Sequence, residues 1–259
     1  MTPPSPATGQ RVPRLSIGSI QVDAHTFASA LHAIETLVVA GRGGTVFTPN
    51  VDHVVKAEHD SELRDAYAAA DLCLADGMPL VWASRVLSPR LPERVAGSDL
   101  VGPLLQRAAN RGWSVYLLGG GAGSAPLAAD EIARSAGVRV VGADAPLVDL
   151  SREDEGEGAA ALVRVRAARP DLLLVGLGAP KQELWIHRHR AELAPTVALG
   201  VGAAIDFLAG RVPRAPRWMA RAGLEWAYRL AREPRRLARR YLVEDPEFVV
   251  ILARTLSRR

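Results

Sequence analysis

Seven short apolar runs of β type, alternating with stretches of helical spacing, constrain this chain more than any other feature. The runs are Leu15–Ile20, Thr45–Thr48, Leu72–Ala75, Ser114–Leu118, Val138–Val141, Leu172–Val175 and Val197–Leu199. Between them, Phe27–Val39, Val101–Ala109, Ala125–Ala136 and Ala159–Ala168 carry apolar residues at a period near 3.6. Strands that alternate with helices are joined by right-handed crossovers and lie parallel, with helices covering both faces. Runs without a polar residue, such as Leu172–Val175, suit strands buried on both sides. The expected fold is therefore α/β: a Rossmann-like parallel sheet with helices on both faces, spanning residues 15–210.

The alternation stops after Gly210. Residues 211–259 contain no β-type run, and Pro213, Pro216, Pro234 and Pro246 divide them into short helices. This segment holds 13 Arg, no Lys and five acids, a charge of +8 within a chain whose net charge is only +4. A near-neutral to acidic body thus carries a basic helical appendage, which calls for an anionic partner. The tail spells no nucleic-acid-binding motif, so phosphate on a small molecule or on lipid fits better than nucleic acid. Trp218, Trp226 and Tyr228 interleave with the arginines, as in segments that lie on an anionic membrane surface. Residues 1–14, rich in Pro, Ser and Thr, read as a disordered segment without the apolar core of a signal peptide. A lone Cys73 excludes a disulfide framework, and no run approaches the roughly 18 apolar residues of a membrane span. These features lead us to expect a cytoplasmic protein.

In an open parallel sheet, ligands bind beyond the carboxyl ends of the strands. Five clusters fall there. Thr48-Pro49-Asn50-Val51-Asp52 follows one strand, and Asn50 is either a helix cap or a ligand contact. Asp76-Gly77 follows another; Asp76 is either an N-cap or a carboxylate placed to take a proton from a sugar hydroxyl. Gly119-Gly120-Gly121, Gly176-Leu177-Gly178 and Gly200-Val201-Gly202 end three further strands. Such exits let backbone amides approach a phosphate, so together they suggest an extended pocket for a phosphate-bearing ligand. No Gly-x-Ser-x-Gly elbow, Asp-x-Asp clamp or His/Cys metal spacing is present.

In their order along the chain, these clusters resemble the WecG/TagA/CpsF family of bacterial glycosyltransferases. The resemblance runs from about Leu15 to Leu252. It rests on Thr48 to Asp52, Asp76-Gly77, Arg94-Val95-Ala96-Gly97-Ser98-Asp99, Leu118-Gly119-Gly120, Gly176 to Glu183, Gly200 to Ala203, and Arg214-Ala215-Pro216 through Gly223-Leu224-Glu225-Trp226. It implies transfer of a sugar (N-acetylmannosamine, its uronic acid or a related hexose) from a UDP-sugar to a polyprenyl-diphosphate-linked saccharide. It further implies inversion, no metal and no other cofactor. By the same resemblance Asp76 is the general base, and Thr48, Asn50, Arg94 and Gln182 contact the substrates. Gly119, Gly120 and Gly178 form the glycine turns of that pocket, and Arg229, Arg236 and Arg239 are the functional arginines of the tail. The implied enzyme is peripheral on the inner face of the plasma membrane. Its oligomeric state is open, with a homo-oligomer paired through body helices as one arrangement.

Two other readings compete. A nucleotide-dependent oxidoreductase of the dinucleotide-binding type accounts for the glycine turns but leaves the arginine tail without a purpose. A non-enzymatic module that binds through its tail leaves Asp76 without one.

Overall fold

The computed structural model describes residues 12–152, 155–216, 219 and 224–258. The expected disordered segment lies outside these up to position 11, and Arg14 already opens the first strand. Trp218 and the middle of the 214–226 motif lie outside them too.

Six strands form one parallel sheet: β3 (Gly44–Phe47), β4 (Leu72–Cys73), β5 (Ser114–Gly119), β6 (Arg139–Asp144), β7 (Leu172–Gly176) and β8 (Val197–Gly200). Their order is β4-β3-β8-β7-β5-β6, and every pairing is parallel. The strands expected from the sequence are all present, with one difference. Leu15–Ile20 is not one strand but a turn flanked by β1 (Arg14–Ile17) and β2 (Ile20–Asp23), an antiparallel hairpin outside the main sheet. Gly18, at φ +56°, supplies the left-handed turn that the apolar run concealed.

Side chains along each strand alternate between two cores. Phe47, Tyr116, Leu118, Leu173 and Val175 face one core with the hairpin, α2 (Val51–His59), α3 (Ser61–Ala68) and α8 (Lys181–Leu193). Val46, Val115, Leu117, Leu172 and Leu174 face the other with α1 (Phe27–Ala40), α5 (Gly97–Arg111), α6 (Ser124–Ala136) and α9 (Ala204–Leu208). A period of two with both faces buried is what a central parallel sheet requires. Two further body helices, α4 (Met78–Ala83) and α7 (Gly156–Ala168), complete the covering.

In the tail, helices Glu225–Arg232 and Pro234–Arg239 are followed by a π-helical turn, Arg240–Glu244, and a last helix, Glu247–Ser257. Phe248 and Ile251 of the last helix join the first core. The backbone N–H of Gly18 donates to Thr255 Oγ1 at 3.0 Å, and His59 meets Glu247 at 3.0 Å, so the tail is clamped to the hairpin and to α2. Among the described residues no helix is long and apolar enough to cross a membrane.

The glycine exits are packed against one another. A Cβ at Gly119 (φ +106°) would stand 2.6 Å from the Gly176 carbonyl oxygen, and one at Gly176 would stand 2.7 Å from that of Gly202. Gly119→Ala should therefore lower unfolding stability by about 2–3 kcal/mol, combining backbone strain with overpacking. Gly137→Ala, with a φ of +62° but nothing within 4 Å, should cost only about 1 kcal/mol. Chemical denaturation of the two variants checks the difference.

Candidate active site

A cleft of about 870 Å³ opens over the carboxyl ends of β4, β3, β8 and β7 and is walled on its far side by the tail. Its floor comes from the β4 exit. The N–H of Asp76 donates to the Pro49 carbonyl at 2.9 Å, and that of Val95 to the Ala75 carbonyl at 2.7 Å, fixing the loop between its neighbours. Gly77, at φ +145°, turns the chain so that it, not Asp76, occupies the cap position of α4; no side chain caps that helix. The Asp76 carboxylate is thus left for the cleft. Among the described residues its one hydrogen-bond partner is Arg94 Nη1, at a long 3.5 Å, and 29% of its side chain stays exposed. Burial is the main force on its proton affinity. It raises the pKa from 3.8 to about 6, against the opposing pull of Arg94 and with further upward push from Glu225 and Asp99.

The Arg94-to-Asp99 segment explains its own spelling. Gly97 lets the start of α5 meet the β3 exit, since a Cβ there would lie 2.9 Å from Thr48 Oγ1. Arg94 bonds to Asp99 and also reaches Glu225 of the tail at 3.2 Å. Arg214 takes the second oxygen of Asp99, with its guanidinium 5.5 Å from the Phe207 ring centre.

At the β3 exit, Thr48 is buried with its hydroxyl 3.4 Å from the Gly200 carbonyl and still lines the cleft. Asn50 caps α2, accepting from the N–H of Asp52 at 3.1 Å, and the same oxygen accepts from Arg240 Nη2 at 3.1 Å. Asp52, only 2% exposed, pairs with Lys56 at 2.8 Å and Arg240 at 3.5 Å. Capping and tail docking therefore share one side chain.

At the exits of β7 and β8, the Gln182 amide is held at both ends. Its oxygen accepts from the N–H of Gly202 at 3.1 Å, and its nitrogen donates to Glu183 at 2.7 Å. Glu183 is fully buried and also meets His53 Nε2 at 3.3 Å. Gly178 lines the cleft, whereas Gly119 and Gly120 do not. The β5 turn faces the carboxylate of Asp206, which accepts from the Gly121 N–H at 2.7 Å and the Ser124 hydroxyl at 2.6 Å. An internal carboxylate already takes the Gly121 amide and the Ser124 hydroxyl at the start of α6, where a ligand phosphate was expected. Lys181 is likewise spent, donating to the Val148 carbonyl at 3.2 Å.

Arg229 and Arg239 stand on separate helices. Glu233 (φ −130°, ψ 55°), ahead of Pro234, breaks the helix between Arg229 and the residues that follow. Arg229 lines the cleft and makes no ion pair among the described residues. Arg239 instead pairs with Glu244 at 3.1 Å, its side chain 83% exposed, and the side chain of Arg236 lies outside the described residues. Arg240, which is not among the site residues expected above, also lines the cleft and donates to Asn50. The break and the π-helical turn shift the phase of the arginines. Only the acceptor set Asn50/Asp52, apparent from the fold, distinguishes Arg240. Among the described residues no group of three or more His, Cys, Asp or Glu is arranged to hold a metal ion.

One relative, from Bacillus spizizenii, is 29% identical over 229 residues, covering 88% of this chain and 86% of its own length. It bears the name N-acetylglucosaminyldiphosphoundecaprenol N-acetyl-beta-D-mannosaminyltransferase. The sequence model of the glycosyl transferase WecG/TagA/CpsF family matches residues 15–259, nearly the full length. The chain belongs to the WecG/TagA/CpsF family of glycosyl transferases.

Proposed function

We propose that the protein transfers N-acetylmannosamine, or a related hexose such as its uronic acid, from a UDP-sugar to a polyprenyl-diphosphate-linked saccharide. The observation that carries this reading is Asp76, a carboxylate with a raised pKa on the floor of a cleft whose far wall holds the tail arginines. The name of the Bacillus relative supports the sugar and the lipid-linked acceptor.

In this reading the acceptor hydroxyl loses its proton to Asp76 as its oxygen attacks the anomeric carbon. The bond from that carbon to the UDP oxygen breaks in the same displacement, inverting the centre. Negative charge develops on the departing diphosphate and is met by preorganised cations. Arg229 is the available one, and Arg240 and Arg94 stand at the same cleft. Guanidinium forks match phosphate oxygens two at a time, so this charge can be met without a metal. Thr48, Asn50 and Gln182 shape the wall that orients the sugar; Arg236 and Arg239 are left to the acceptor diphosphate or to lipid headgroups. The oxidoreductase alternative loses its main support, because Asp206 occupies the glycine nest it would need.

The enzyme is proposed to work on the inner face of the membrane. Leu242, Val243, Val249 and Val250 are exposed on the outer side of an arginine-rich tail, a composition that binds anionic bilayers.

Asp76→Asn should lower turnover by about 10²–10⁴-fold, the usual share of a general base. The wild-type rate should fall with acid through pH about 6, because the protonated carboxyl cannot accept a proton. The stability effect has the opposite sign. A carboxyl whose pKa is raised on folding costs stability when ionised, so its contribution improves as pH falls from about 6 to 3.8. Asp76→Asn should then be at least as stable as wild type at pH 7 by thermal melting. Turnover should survive exhaustive treatment with EDTA, and loss restored by Mg²⁺ or Mn²⁺ would overturn the proposed charge stabilisation. Val243→Ser with Val249→Ser should weaken binding to phosphatidylglycerol vesicles severalfold, yet spare turnover of a short-chain acceptor in detergent.

A further inference from the structure

We propose that Glu225, the first residue of the helix Glu225–Arg232, is a positioning residue that draws the Arg94 guanidinium off Asp76 and so leaves that carboxylate free to accept a proton. The inference rests on Asp76 being the base and adds how the tail controls it.

One guanidinium here faces three carboxylates. Arg94 Nη2 is committed to Asp99. Nη1 is divided between Glu225 at 3.2 Å and Asp76 at 3.5 Å, with Glu225 the nearer. The side chain of Arg94 is only 16% exposed, so water competes weakly for its donors. Arg214, also from the tail, holds the other oxygen of Asp99 and donates to Ser98 Oγ at 3.2 Å. Asp99 is thereby fixed where it keeps Arg94 turned outward.

Remove the Glu225 charge and no other acid among the described tail residues competes with Asp76 for Arg94 Nη1. An arginine fork prefers a two-pronged contact with a carboxylate, and such a pair holds the carboxylate ionised and weakly basic. A base clamped in this way has lost the proton affinity its task requires. The charged and titratable groups that face Asp76 are Arg94 from the loop before α5, Asp99 from the start of α5, Glu225 from the tail, and His53 from α2. Of these, only Glu225 arrives with the tail. Seating the tail and readying the base are therefore a single event. This also gives a purpose to an acid within the most basic part of the chain.

The test is the pH dependence of kcat/KM for the full-length protein with a UDP-sugar and a short-chain diphosphate-linked acceptor. Glu225→Gln should move the acidic limb to lower pH by on the order of one unit, the usual effect of one neighbouring charge. The plateau rate should fall severalfold while the donor KM stays within about twofold, since the residue acts through the base and not through binding. Glu225→Asp should return the limb toward the wild-type position. A limb that stays where it was in Glu225→Gln overturns the inference, whatever happens to the rate, because a merely structural acid would lower activity without moving it. Asp76→Asn separates the two claims. If it stays active, the base assignment fails and the inference with it; if it is inactive while the Glu225→Gln limb is unmoved, the inference alone fails.

Discussion

Backbone crowding at the carboxyl edge of the sheet is the constraint on which the rest depends. The β5, β7 and β8 exits approach so closely that Gly119 and Gly176 have no room for a Cβ, which would run into the carbonyls of Gly176 and Gly202. This closeness brings the wall of α8 and the floor at β4 within reach of one small ligand. It also decides which turns are open. The β5 turn is sealed by Asp206, so the cleft is displaced toward β3 and β4, where the Asp76 carboxylate stands.

On that frame the electrostatics are arranged in two layers. Buried groups engage each other: Glu183 with Gln182 and His53, Asp52 with Lys56. The second layer joins body to tail, through Arg240 to Asn50 and Asp52, and through Arg94 and Arg214 to Glu225 and Asp99. Such cross-links add to the apolar anchorage of Phe248 and Ile251 in holding the wall in place.

The sheet was legible because its strands are either wholly apolar or nearly so, and their alternation with helices leaves few other folds. The hairpin was not, since an apolar run reads the same whether or not a glycine at its middle turns back. Asp76 stood out because it follows a strand, but two explanations competed until Gly77 was seen to occupy the cap position. Asn50 proved to serve two purposes at once. The arginines were the least legible part. Spacing along a helix predicts a shared face only if the helix is regular, and Glu233 interrupts it after Arg229; beyond the break Arg239 is exposed and Arg240 lines the cleft. Gly119 and Gly120 carried a phosphate-binding spelling whose use is to bring strands together, a distinction made only by the position of Asp206, 85 residues away from Gly121 in the chain.

The bond from Gly18 to Thr255 joins positions 237 residues apart. During synthesis the hairpin is made well before the helix that grips it, so its surface for that helix stands open in the interval. The wall bearing Arg229 and Arg240 gains this anchor only once that helix exists. A chain stopped short of it would hold an open trough in place of a walled cleft.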